Sequence, residues 1–169
     1  TERVLTSSFN FDFVPPAELV VFKRVKGNLD QDFVSTGGKV FIGGKATYEV
    51  TVLNKSVQPA TSITILDVLP AVGDKAIVPD INGNYAARGS SFPVMLTGPV
   101  QAPANFDVFY HTTAPSGKPG VYAADANWVS TVDDWSSVKG IKFVMNSGQL
   151  NVDDFFTFNI PVVAPYDVQ

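Results

Sequence analysis

Two runs of alternating residues joined by a turn, within residues 46–70, are the strongest constraint on how this chain folds. The apolar positions that share a face are Tyr48, Val50 and Val52 in the first run and Ile63, Ile65 and Leu69 in the second. This period of two is the one that a pleated β-strand imposes. Between the runs, residues 54–59 supply turn-forming side chains and a proline that ends strand pairing. The stretch therefore predicts two β-strands joined by a turn.

The rest of the chain repeats this character. It contains 13 Phe, 13 Gly and 12 Pro, a composition typical of short strands separated by turns. Further predicted strands include residues 9–13, 18–26, 39–42, 92–96, 105–112, 140–146 and 155–163. The run from Asp133 to Val138 resembles a capped single turn of helix. We expect an all-β, immunoglobulin-like sandwich of about ten Greek-key strands, with at most one short helical turn.

Residues 1–17 are predicted to be an N-terminal strand and linker, and residues 18–169 to be the sandwich domain. In the first segment Phe9, Phe11 and Phe13 alternate with polar residues before a Pro-Pro pair. Proline cannot donate to a strand ladder, so the pair ends the strand. The segment either opens this domain or ends a preceding repeat, and the sequence leaves both interpretations open.

Composition excludes several classes of partner. The net charge is -4 and the 12 basic residues form no large cluster, so the chain lacks the positive potential of a nucleic-acid groove. No stretch approaches the roughly 20 apolar residues of a membrane span, so we expect no membrane insertion of this fragment. The absence of Cys excludes disulfides and thiolate metal sites.

The segment GGKATYEVTVLNKS, followed by ILDVLP, resembles the conserved-repeat domains of bacterial cell-surface proteins of the LPXTG type. The later WVSTVDDWSSVKGIKFVMNSGQL and the TFNIPVVAP ending fit the same group. The resemblance implies an extracellular or cell-wall location and a non-enzymatic structural or adhesive role. It also implies neighbouring repeats of the same chain as partners, with a host protein, a matrix protein or a glycan as further candidates. Such domains resemble self-cross-linking adhesin and pilin modules.

That resemblance singles out Lys23, Asp67 and Asn159 as a candidate Lys–Asn isopeptide site. Lys23 lies on the apolar face of an early strand, Asp67 on that of a middle strand, and Asn159 in the last strand. Burial disfavours charge, so a neutral Lys23 amine can attack the Asn159 carboxamide. Asp67, protonated, would polarise the carbonyl and assist the departure of ammonia. The reaction would occur once per molecule, which is maturation and not turnover.

A plainer interpretation exists for each of these residues. Lys23 can extend its head to solvent, Asp67 can accept from turn amides, and Asn159 can be an ordinary strand residue. In the last strand Phe156, Phe158, Ile160 and Val162 share one face, which leaves Asn159 on the other unless a bulge shifts the register. Asn54 is a second acceptor candidate, with turn capping as its alternative role.

Other candidate sites carry weaker signals. The acidic residues Asp133, Asp134, Asp153 and Asp154, with Asp30 and Asp32, are possible calcium ligands, but none has EF-hand spacing and we expect no cofactor. Four aromatic residues form a possible sugar-stacking platform for a carbohydrate-binding module, the alternative function: Tyr85, Tyr122, Trp128 and Trp135. An enzyme would need a pocket that gathers the single His111 with acids, and we expect none.

Overall fold

Seven β-strands form two antiparallel sheets in a computed structural model that describes residues 18–115 and 117–166. The strands are β1 (Leu19–Gly27), β2 (Lys45–Asn54), β3 (Thr64–Val68), β4 (Met95–Leu96), β5 (Phe106–His111), β6 (Gly140–Met145) and β7 (Phe155–Val163). The first sheet has the order β1-β2-β7-β4 and the second the order β3-β6-β5. The expected all-β class is therefore confirmed, and the arrangement resembles a β-sandwich.

The core lies between the inner faces of the two sheets. Phe143 is buried there, together with the alternating positions that the sequence identifies: Val50, Val52, Ile63, Ile65, Leu69, Phe158, Ile160 and Val162. Phe158 of β7 packs against Phe143 of β6 with ring centroids 4.3 Å apart, and Phe106 of β5 meets Phe158 edge-to-face at 4.9 Å. Aromatic rings from both sheets therefore join the layers.

A second, smaller cluster covers the outer face of the β3-β6-β5 sheet. Its buried members are Val68, Tyr122 and Trp128. Tyr122 belongs to α1 (Pro119–Ala124), a six-residue helical segment whose first residue is proline, the residue favoured at a helix start. Trp128 Nε1 donates to the Tyr122 carbonyl at 2.8 Å, which satisfies the indole inside the cluster.

The structure departs from the sequence in the number and extent of its regular elements. About ten strands are expected and seven are present in the described residues, with the strand predicted at 92–96 reduced to β4. The strand predicted at 39–42 is wrong: Phe41 and Ile42 are exposed, and Gly44 N donates to the Phe41 carbonyl in a turn. The strand predicted at 9–13 lies outside the described residues.

The described residues contain two short helical segments, and the sequence predicts one. The predicted turn is confirmed as a 3-10 segment, η1 (Trp135–Ser137). Its cap is Asp134, whose carboxylate accepts from Ser136 N at 2.9 Å. The Ser136 hydroxyl, which donates to the same carboxylate at 2.7 Å, and then the Ser136 backbone amide lower the pKa of Asp134. The sequence does not predict α1, which is stabilised by packing against the sheet.

Candidate functional site

Lys23 and Asp67 meet between the two sheets. Lys23 Nζ lies 2.7 Å from each carboxylate oxygen of Asp67 and donates to both. The two residues occupy β1 and β3, which are edge strands of different sheets. Lys23 is paired with Val50, and Asp67 with Ile141, both buried core residues, so both side chains point inward. The prediction that Asp67 lies on the core face is confirmed.

The ion pair is only partly shielded from water. The Lys23 side chain is 30% exposed and that of Asp67 is 11% exposed. Lys23 Nζ also lies 4.4 Å from the ring centroid of Tyr48, so the ammonium makes a cation–π contact in addition to its ion pair with Asp67. Burial is the largest cause that raises the pKa of Tyr48, and the negative charge of Asp67 adds to it. The positive charge of Arg88 acts in the opposite direction. No sequence pattern predicts this contact of Tyr48, although the alternation in β2 places its side chain on the inner face.

The structure does not bring Asn159 to this pair. In the sheet register, Lys23 aligns with Val50 and then Phe158, whereas Asn159 aligns with Glu49. Paired residues share a face and successive residues alternate, so Asn159 lies on the outer face, opposite to Lys23. No bulge shifts this register in β7. The predicted Lys23–Asn159 contact is thus absent, because the alternation of residues along β7 turns Asn159 away from the core.

Asn54, the second acceptor candidate, is a fully buried structural residue. Its Nδ2 donates to the carbonyls of Gln58 and Leu150, each at 2.9 Å. Its Oδ1 accepts from Ser56 N at 2.9 Å and from Ser56 Oγ at 2.6 Å. The amide therefore holds the turn after β2 against the segment that precedes β7. The turn-capping role is confirmed.

The acidic candidates for a metal site are dispersed. Among the described residues, no group of three or more His, Asp or Glu side chains is placed to hold a metal ion. Asp134 caps η1, and Asp153 forms an exposed ion pair with Lys55 at 2.7 Å. Asp154 accepts from Asn151 Nδ2 at 2.9 Å, and Asp30 accepts from the backbone amides of Gly27 and Lys39 at 2.8 Å. Asp30, Asp134, Asp153 and Asp154 therefore each make a separate local contact and do not converge on one point.

The four aromatic candidates for a sugar platform do not form one surface. Trp128 and Tyr122 are buried in the second cluster. Trp135 packs edge-to-face on Tyr110, with ring centroids 4.9 Å apart. The Tyr85 hydroxyl accepts from Lys118 N at 3.0 Å. A sugar ring needs an exposed aromatic face, so at least two of the four residues are unavailable.

His111 is buried, with the Asp125 carboxylate beside it. Its Nδ1 accepts from Thr113 N at 3.0 Å, and its Nε2 lies 3.3 Å from Asp125 Oδ2. A cleft of about 390 Å³ lies nearby, beyond Val68, but its lining does not include His111. Asp125 was not identified from the sequence, because no local pattern links it to His111.

Comparisons with protein-family models, with curated proteins and with solved structures found no match for this chain. Within the described residues, no helix has the length and apolar character needed to cross a membrane. The support for a function is therefore the strand geometry, the side-chain contacts and the sequence resemblance.

Proposed function

We propose that this chain is a non-enzymatic structural or adhesive module of a bacterial cell-surface protein, built to transmit tension along its length. One observation carries the proposal. β1 and β7 are both antiparallel to β2, so they run parallel to each other. Leu19 at the start of β1 and Val163 at the end of β7 consequently stand at opposite ends of one sheet.

This geometry favours mechanical resistance. A pull between the first and last strands acts along the strands and loads the hydrogen bonds of both ladders together. A pull that enters and leaves at the same end would open them one after another. Nine-residue β1 and β7 each span roughly 30 Å at about 3.3 Å per residue. Modules arranged end to end would then form an extended stalk, with neighbouring repeats as partners.

The Lys23–Asp67 pair supports the same role. It connects β1, which takes the load, to the second sheet through β3. We propose it as a non-covalent clamp and leave the Lys23–Asn159 isopeptide bond out, because the two side chains are on opposite faces. The constant-type immunoglobulin sandwich has a four-stranded sheet, ABED, and a three-stranded sheet, CFG, with strands lettered in chain order. The sheets of this chain have the same sizes, but its fifth and seventh strands, β5 and β7, have exchanged places relative to that order. We therefore propose a variant of the immunoglobulin-like architecture.

Single-molecule force measurements test the mechanical role. The chain has no native Cys, so engineered cysteines give unambiguous handles. Handles at Glu18 and Tyr166 load the ladders in shear, whereas handles at Glu18 and Asp154 start from the same end and unzip them. The proposal expects a clearly higher unfolding force for the first pair. An equal or lower force would overturn it.

The intact mass of the denatured chain tests the clamp. A mass equal to the calculated value is expected for an ion pair. A deficit of one water would show instead that Lys23 Nζ has formed an amide with the Asp67 carboxyl carbon. A deficit of one ammonia would restore a Lys–Asn link. Lys23→Met should abolish either deficit if Lys23 is the donor.

A further inference from the structure

The outer face of the sheet formed by β1, β2 and β7 carries a groove, on the side away from the core. The groove has a volume of about 350 Å³ and is lined by side chains of all three strands. In the sheet register, Phe22, Thr51 and Thr157 form one row across the strands, and Leu53 and Phe155 belong to the next row. Paired residues share a face, so these five side chains lie together. The volume is within the range of small-ligand sites, about 300–1,000 Å³.

Two phenylalanine side chains flank the groove and are open to solvent. Phe22 is 50% exposed and Phe155 is 63% exposed. They lie on the strands on either side of β2, so two strand spacings, or roughly 9.5 Å, separate them across the sheet. The offset of one row adds about 7 Å along the strands, which places their Cα atoms about 12 Å apart. Two ligand rings can therefore lie on the two side chains, whereas a single six-membered ring cannot cover both.

Two threonine hydroxyls lie between these aromatic side chains. Thr51 Oγ1 and Thr157 Oγ1 are 3.4 Å apart and form a hydrogen bond across β2 and β7. Neither hydroxyl has another hydrogen-bond partner among the described residues. A hydroxyl offers one donor and two acceptor lone pairs, so this pair keeps free capacity after its internal bond. The middle of the groove is therefore polar but uncharged.

Arg24 and Glu49 form the far end of the groove. They are paired across β1 and β2, and Arg24 Nε donates to Glu49 Oε1 at 3.0 Å. Arg24 Nη2 donates to the same oxygen. The guanidinium also lies 5.7 Å from the ring centroid of Phe33, which helps to hold it in place. Its remaining N–H groups and Glu49 Oε2 have no partner within the part of the chain that the structure describes.

We propose that this groove binds a neutral oligosaccharide, with one sugar ring on Phe22 and a second on Phe155. The faces of a sugar ring carry C–H groups with a small positive charge, and the face of an aromatic ring is negative. The hydroxyls at the edge of the sugar accept from Arg24 and donate to Glu49. The hydroxyls of Thr51 and its neighbour in β7 bond to the part of the ligand between its two stacked rings.

The charges of the groove indicate the class of ligand. Arg24 and Glu49 neutralise each other, and the other lining residues are uncharged. An acidic polysaccharide would need unpaired basic side chains, and a basic peptide would need unpaired acids. An apolar protein surface would leave the threonine hydroxyls and the free N–H groups of Arg24 without partners. An uncharged polyhydroxyl chain matches both the aromatic and the polar parts, and this inference does not depend on the mechanical role.

Binding of the full chain to an array of neutral and acidic oligosaccharides, one to six sugar units long, tests the proposal. We expect binding to neutral members of two or more units and weaker binding to monosaccharides, because only the longer ligands reach both Phe side chains. Phe22→Ala and Phe155→Ala should each weaken the tightest neutral interaction, measured by calorimetry, roughly fivefold or more. The matched control is Phe41→Ala, since Phe41 is 60% exposed and does not line the groove.

Removal of a hydroxyl distinguishes sugar binding from a purely apolar contact. Thr51→Val keeps the shape of the side chain and removes its hydrogen-bonding group, so we expect affinity to fall about threefold or more. The control is Thr47→Val, because Thr47 lies on the same face of β2 but outside the groove. Unchanged or tighter binding in Thr51→Val would contradict the proposed hydrogen bonds.

Every outcome of the array and the calorimetry decides the proposal. Weaker binding in both phenylalanine variants, with the Phe41→Ala control unchanged, supports it. No binding to any neutral oligosaccharide, binding to acidic ones alone, or full affinity in Phe22→Ala/Phe155→Ala overturns it. Dimers in sedimentation that Phe22→Ala dissociates, without saccharide binding, assign the face to a second copy of the chain. The unfolding force between the Glu18 and Tyr166 handles should be the same in these variants, so failure here leaves the mechanical role standing.

Discussion

Lys23 and Asp67 are 44 residues apart in sequence, yet they form the contact that closes one edge between the two sheets. The ammonium donates to both carboxylate oxygens at 2.7 Å. Each side chain is inward-facing, so removing one partner leaves the other poorly hydrated between apolar layers. The contribution of this ion pair to the free energy of unfolding therefore depends on both residues being present.

A double-mutant cycle measures the coupling energy between Lys23 and Asp67. We expect Lys23→Met alone to lower the free energy of unfolding by about 1–3 kcal/mol, because Asp67 loses its partner in a mostly buried position. Lys23→Met/Asp67→Leu should recover part of that loss, which gives a positive coupling energy in chemical denaturation. The control is the Lys55–Asp153 pair, which has the same 2.7 Å distance but is exposed. Its coupling should be below about 1 kcal/mol, and an equal value would contradict the prediction.

Asn54 should be a sensitive position for folding. We expect Asn54→Ala to lower the free energy of unfolding by about 2–4 kcal/mol, because two buried carbonyls lose their donor. Thermal and chemical denaturation measure the loss. Asn151→Ala removes an amide from the exposed Asp154 contact and should cost no more than about 0.5 kcal/mol. Similar losses in both variants would show that burial of Asn54 is not the cause.

Alkaline titration should single out Tyr122. Burial, with a smaller contribution from Asp125, raises the pKa of Tyr122 from its ordinary value of 10.0 to about 12. The folded state thus holds this proton after the unfolded chain has lost it, so the contribution to stability is complete below pH 10.0 and falls between pH 10.0 and about 12. Near-ultraviolet absorbance of the wild type and Tyr122→Phe isolates the titration. A midpoint near the ordinary value would contradict the prediction.

Gly27 should not tolerate a side chain. A Cβ at this position would lie 1.9 Å from the Lys39 carbonyl oxygen, a backbone atom that cannot move independently. We expect Gly27→Ala to lower the free energy of unfolding by roughly 1–3 kcal/mol. At Gly98 the same change meets no atom of the described residues within 4 Å, so Gly98→Ala should leave stability unchanged or raise it slightly. Equal effects in denaturation would disprove the packing argument.

Most strands can be located from the amino-acid sequence alone. Alternation of apolar residues located β2, β3, β5, β6 and β7 with small errors at their ends, since a pleated strand facing one core imposes a period of two. The same alternation put Asp67 on the core face and Asn159 on the opposite one. Alternation wrongly predicted a strand at 39–42. The chain turns there, with a φ of 66° at Gly43, and the apolar pattern does not predict such a turn.

The contacts between residues distant in sequence depend on how the strands are ordered and stacked. No local signal pairs Lys23 with Asp67, Asn54 with Leu150, or His111 with Asp125, because each contact depends on the order and stacking of strands. The α1 segment likewise exists through its packing on the outer face of a sheet. Strand propensity acts over neighbouring residues, whereas strand order follows from burying both sheets together. The candidate clamp belongs to that second level.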